Sequence, residues 1–127
     1  MADNLTNTAE NKMLDALVGT ASYSADTPIK LALVTANGND ATGGTEVSGG
    51  SYARQTITFN AASSGSIDND AVISFTNMPT CTVVGIELWD SAGSPARLAY
   101  GSLTASKALT SGDTLEFAIG SITLSLS

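Results

Sequence analysis

Few side chains in this sequence could do chemistry, and their spacing argues against most of it. Asp68 and Asp70 stand one residue apart in Asp68-Asn69-Asp70, a spacing that supplies two oxygen ligands of a calcium loop. The glycine and the bidentate glutamate that such a loop also needs are missing at the required offsets, so the stretch reads as a solvated turn between strands. The same two aspartates and Glu87 are the carboxylates to weigh for glycan hydrolysis, which needs two of them facing each other across a cleft, and no motif supports it. The chain has no histidine, which removes the usual imidazole base and transition-metal ligand. Its single cysteine, Cys81, forms no intrachain disulfide and opens the apolar run to Leu88, so it reads as a small buried hydrophobe rather than a reactive thiol. The expectation is a protein that is not an enzyme and uses no cofactor or metal.

What remains is binding. Gly43, Gly44, Gly49 and Gly50 give the connection Gly43–Gly50 the freedom to fold tightly and re-enter a sheet. A glycine-rich loop cradles phosphate only when a helix follows with its N-terminal amides, and here an alternating strand follows, so nucleotide binding is not expected. That connection delivers Tyr52 and Arg54 to the mouth of a strand, and Trp89 ends the most apolar strand beside Asp90. Large amphipathic side chains at strand ends suit an interface, and these three are the candidate contact residues.

Twelve acidic residues against five scattered basic ones give a net charge of −7, which repels a nucleic-acid backbone. No apolar run approaches the ~20 residues of a membrane span, and no basic segment precedes an apolar one at the start, so synthesis in a cytoplasm without membrane insertion is expected. At 127 residues the chain suits one core.

The elements that position the candidates follow from periodicity. Met1 to Asn7 reads as a polar N-terminal arm, with Ala2, Asp3, Asn4 and Leu5 placed to reach a neighbour. Asn7 with Glu10 has the form of a capping box, and Met13, Leu14, Leu17 and Val18 share one face of a short helix that Gly19 ends. Too short to stand alone in water, that helix should lay its apolar face on the sheet of its own subunit or on another subunit, more often the former. From Pro28 onward the pattern is period two. Ile29, Leu31 and Leu33 alternate with Lys30, Ala32 and Val34. Ile57 and Phe59 face inward. Val84, Ile86 and Leu88 oppose Cys81, Val83, Gly85, Glu87 and Trp89. Leu115, Phe117 and Ile119 share a face, as do Ile122, Leu124 and Leu126. About eight strands with turn signals every ~8–12 residues predict an all-β, jelly-roll-like antiparallel β-sandwich over 28–127, preceded by the arm and helix over 1–27.

The run Gly43-Gly44-Thr45-Glu46-Val47-Ser48-Gly49-Gly50-Ser51-Tyr52-Ala53-Arg54-Gln55 resembles a family of small bacteriophage virion proteins. Ile73-Ser74-Phe75, Asn77-Met78-Pro79, Gly85-Ile86-Glu87-Leu88-Trp89-Asp90, Leu103-Thr104-Ala105-Ser106-Lys107 and Ala108 to Phe117 are similar to its remaining blocks, so the resemblance runs from about Pro28 to the C-terminus. Members are commonly labelled tail-fibre proteins. A chain without a repetitive shaft is also similar to capsid decoration, or cement, proteins that sit as trimers on the outside of a head. The resemblance implies a structural virion protein, a cement bound to the major capsid protein and to itself as a homotrimer on the capsid exterior. A tail-fibre or baseplate adhesion module binding the host surface is the alternative.

Overall fold

The computed structural model describes residues 4–126. The chain forms β1 (Asn4–Leu5), α1 (Asn7–Val18), β2 (Ile29–Ala36), β3 (Thr45–Glu46), β4 (Gln55–Ile57), β5 (Ser66–Asp68), β6 (Ile73–Met78), β7 (Cys81–Trp89), β8 (Arg97–Leu109), β9 (Asp113–Phe117) and β10 (Thr123–Ser125). All strand pairs are antiparallel. A six-stranded sheet runs β1-β8-β7-β2-β3, and β4 shares the outer edge of β2 with β3. Two separate ladders, β6 with β9 and β5 with β10, make the second layer. The expected all-β sandwich with one short helix is what the chain builds.

Alternation explains how the layers close. Leu31 and Leu33 lie opposite Leu88 and Ile86, and Leu88 lies opposite Ala99, so one face of the larger sheet is continuously apolar. It meets Ile73, Phe75 and Met78 of β6, Leu115 and Phe117 of β9, and Ile122 in one buried cluster. Phe75 sits between Tyr52, stacked at 5.9 Å, and Phe117, edge-on at 6.2 Å. Each buried aliphatic or aromatic side chain contributes about 1.5–3 kcal/mol, and these contacts hold the ladders to the sheet.

The β7 strand departs from strict alternation. A bulge between Val83 and Gly85 exchanges its faces, so Cys81 and Val83 join Ile86 and Leu88 against the core, while Gly85, Glu87 and Trp89 face outward. An irregularity of this kind leaves no mark in a period-two pattern.

The N-terminal segment also differs from expectation. The N-cap of α1 is Thr6, not Asn7: its hydroxyl accepts from the Ala9 N–H at 3.2 Å and donates to the Arg97 carbonyl at 2.7 Å. Gly19 closes the helix in the left-handed conformation, as its position predicts. Asn4 and Leu5, expected in an arm, pair with Tyr100 and Ala99 of the same chain, which joins this segment to the sandwich; Ala2 and Asp3 lie outside the described residues. Tied to β8 through its cap, the helix buries Ala9, keeps Met13 half-buried beside Leu5, Ile67 and Leu124, and turns its other large apolar side chains outward. Leu14, Leu17 and Val18 are 59%, 81% and 73% exposed, so the expected packing of this face on the sheet does not occur.

Gly85 is the tightest point on the outer face. A Cβ there would lie 1.9 Å from Asn37 Oδ1 and 2.7 Å from the Gly101 carbonyl, whereas one at Gly93 would meet nothing within 4 Å. Gly85→Ala is expected to cost about 1–3 kcal/mol or more through overpacking against backbone. Gly93→Ala should stay within about 0.5 kcal/mol of the parent. Urea unfolding of the two variants checks the contrast, and equal midpoints would refute it.

Candidate interaction site

The outer face of the six-stranded sheet carries Lys30, Ala32 and Val34 of β2, Gly85, Glu87 and Trp89 of β7, and Tyr100 and Ser102 of β8. In a two-layer sandwich such a face ordinarily meets water. Here Ala32, Val34 and Glu87 are buried, because the connection from Asn37 to Gly44 folds back over them. Polar contacts fasten it. The Asn37 amide donates to Ser102 Oγ at 2.9 Å, and the Gly44 N–H donates to Glu87 Oε2 at 2.8 Å. Arg97 Nη2 donates to the Asn39 carbonyl and the Tyr100 hydroxyl donates to Asp40.

Glu87 is the centre of this arrangement. Its Oε2 also lies 3.5 Å from Arg97 Nη1, and its Oε1 accepts from the Trp89 indole N–H at 3.3 Å. The pair is desolvated, with Arg97 nearly as buried as Glu87 and stacked on Tyr100 at 5.0 Å. Among the described residues Arg97 Nη1 is a buried donor with no hydrogen-bond partner, and Glu87 is the carboxylate beside it.

Tyr52, Arg54 and Trp89 are brought together, beside Glu46. The Arg54 guanidinium lies 4.1 Å over the Trp89 ring and grips Glu46 through two bonds, Nε to Oε2 at 3.0 Å and Nη2 to Oε1 at 2.9 Å. The Tyr52 hydroxyl donates to Glu46 Oε2 at 2.6 Å and accepts from the Leu33 N–H at 3.0 Å. Burial pushes the Glu46 pKa up, but the Arg54 and Tyr52 hydrogen bonds and the Arg54 charge outweigh it, leaving the carboxyl below its ordinary value. Burial, then donation to Glu46, raises the Tyr52 phenol well above its ordinary value, so it stays a donor. The hydrogen bond to Glu46 chiefly raises Arg54, keeping it charged. Tyr52 is thus an internal brace, while the half-buried Arg54–Trp89 stack is the part a partner could touch.

Of the remaining candidates, Asn4 is exposed and Leu5 half-buried in β1. Asp68 accepts from the Asn60 amide at 2.8 Å and Asp70 from the Thr58 hydroxyl. Glu87 stands on the far face of the larger sheet, so these carboxylates do not converge. Among the described residues no three His, Cys, Asp or Glu side chains group where they could hold a metal ion, and no helix is long and apolar enough to cross a membrane. Burial raises the Cys81 thiol above its ordinary pKa, which lowers its reactivity.

Sequence reasoning missed Glu46, Arg97 and Asn69. Asn69, between the two aspartates, is fully buried: its amide donates to the Ala71 and Ala118 carbonyls and its Oδ1 accepts from the Ile122 N–H. A polar residue inside a turn gives no sign of this. The acid in the apolar run Cys81–Trp89 was a visible signal that a buried cation must lie nearby.

A family model described as "Podophage GP4 fiber I protein gp80" matches residues 4–125. No curated protein matches the chain.

Two outcomes follow from the charges. Glu46 has a folded-state pKa below its unfolded value, so its contribution is present above about pH 4.5 and is lost as pH falls through the folded value. The gap in melting temperature between the parent and Glu46→Gln should therefore be constant above that pH and shrink below it; thermal melts from neutral pH to pH 3 check this, and a gap that stays constant would refute it. Glu87→Ala, which leaves Arg97 buried and uncompensated, should cost about 3–5 kcal/mol, whereas Glu87→Leu with Arg97→Met should cost less than the two single changes together. A denaturation double-mutant cycle reads this directly, and additivity would mean that the pair is uncoupled.

Proposed function

The chain belongs to the podophage GP4 fiber I family, and from that premise we propose that it is a fibre subunit on the exterior of a phage particle, a structural virion protein that binds and does no chemistry. The observation that carries this reading is the extent of the family match, which takes in the sandwich from β1 through β10 rather than one embedded motif. The build of the molecule supports it. A sandwich with a braced outer face is a rigid mount for contacts, and the Arg54–Trp89 stack offers a planar cation on an aromatic face, a combination favoured at protein interfaces. Asn4, Leu5, Arg54 and Trp89, together with Ala2 and Asp3, are the proposed contacts to a neighbouring virion subunit; Tyr52 acts through Glu46.

A capsid decoration role is the second reading, and one observation favours it: the described residues fold as a two-layer β module whose outer face is braced for contact with another surface. In that case its partners are the major capsid protein and further copies, as a homotrimer, and each copy adds contacts that are lost only when the shell opens.

Quantitative comparison with the major capsid protein in purified particles, with antibody labelling in electron micrographs, separates the two. A few tens of copies or fewer at the tail support the fibre. Near parity over the head supports decoration, and absence from particles overturns both. Under either reading, Trp89→Ala with Arg54→Ala should reduce incorporation at least ~10-fold while the isolated protein stays folded, and unchanged incorporation would remove the stack from the contact set.

A further inference from the structure

The outward face of α1 has no cover within the described chain. Beneath and beside the helix lies an open groove of about 840 Å³ lined by Leu5, Met13, Leu14, Leu17, Tyr23 and Leu126. A second hollow of about 300 Å³ continues from it along Leu5, Met13, Ile67 and Leu124. Leu126 is 52% exposed at the groove wall, and Leu17 and Val18, in the last turn of α1 at the groove's edge, are the most exposed large hydrophobic side chains among the described residues, here termed the ridge. Ridge and groove occupy one side of the molecule.

We propose that this ridge and groove form the surface through which copies of this chain associate, the Leu17–Val18 ridge of one copy seating in the groove of another. Three observations point to a second copy as the occupant. The first is area. Leu14, Leu17, Val18, Tyr23 and Leu126 together expose roughly 500 Å² of mainly apolar surface, the upper end of what a monomer leaves uncovered. Four of these five also line the groove, so the rest of the ~800 Å² per partner that a standard interface buries would come from Leu5, Met13, Ala16 and a polar rim. The second is shape, since a convex and a concave apolar feature on one face are complementary to the same face of another copy, in a closed pair or a ring. The third is charge. The chain carries −7, yet Glu10 is the one charged side chain among the groove's described lining residues and Lys12 lies 5.1 Å over the Tyr23 ring beside it, so the groove adds little to the repulsion between copies. This surface shares Leu5 with the proposed contact set but is built without Arg54 or Trp89, and it does not depend on where the protein sits in the particle.

Sedimentation velocity of the full chain, with Cys81→Ser to exclude chance disulfides, provides the test. At about 50 µM the parent should be dimeric or larger, and more so as salt is raised, because screening relieves repulsion between acidic copies. Leu17→Glu and Val18→Glu alter side chains exposed in the single chain, so far-UV circular dichroism and melting of the monomer should be unchanged while association weakens ~100-fold or more. Val72→Glu, an exposed apolar position elsewhere, should leave association intact. A parent that is monomeric under these conditions overturns the proposal, including where Leu17→Glu then blocks incorporation into particles, which would give the face to a different virion protein. An oligomer that Leu17→Glu leaves unmoved overturns it as well.

Discussion

A carboxylate buried on the wrong side of a sheet organises much of this molecule. Glu87 sits in the strand with the densest apolar pattern, and a charge there is tolerated only if partners replace the water it loses. Three elements supply them: the Gly44 N–H from the folded-back connection, the indole N–H of Trp89 two residues on, and the Arg97 guanidinium at the start of β8. The need for these partners explains why the connection lies flat on the sheet, and that in turn demands glycine where it comes closest. A Cβ at Gly44 would lie 2.2 Å from the Ala36 carbonyl, and one at Gly85 would strike Asn37. The same arginine anchors the helix, since its carbonyl accepts from the Thr6 hydroxyl that caps α1.

Such a pair adds little net stability, because desolvating both charges offsets most of their attraction. Its effect is on specificity: of the ways the connection could cross the sheet, one places a donor on Glu87 and an acceptor on Arg97 at once. The outer face thereby becomes a braced layer rather than a wet surface, and the Glu46–Arg54–Trp89 group continues the bracing to its edge. For a protein whose role is to hold a position on a particle, rigidity at the contact edge reduces the entropy lost on binding.

The sequence showed the class of fold because alternation is a direct record of which face is buried, and Leu31, Leu33, Ile57, Phe117 and Ile122 were all legible in this way. It showed the end of α1 at Gly19, since few residues other than glycine close a helix in the left-handed region. Tyr52, Arg54 and Trp89 were legible as a set from type and strand-end position, but their joint dependence on Glu46 was not, being a matter of register between β2 and β3. The bulge in β7, the cap at Thr6 and the burial of Asn69 were hidden for one reason: each is decided by a distant carbonyl or amide, and local pattern carries no information about distant backbone.

The helix poses the opposite problem. Its local signals agree with one another, a cap, an acidic first turn, an apolar stripe and a glycine stop, yet the folded chain leaves the stripe in water. Where local choices conflict with the fold around them, the cost persists only if some other state relieves it. Under the association proposed above, an acidic surface that opposes contact in other orientations would make the apolar face of α1 the selective one. The exposed stripe and the net charge of −7 would then act together, the first favouring contact between copies and the second confining it to the side of the molecule where α1 lies.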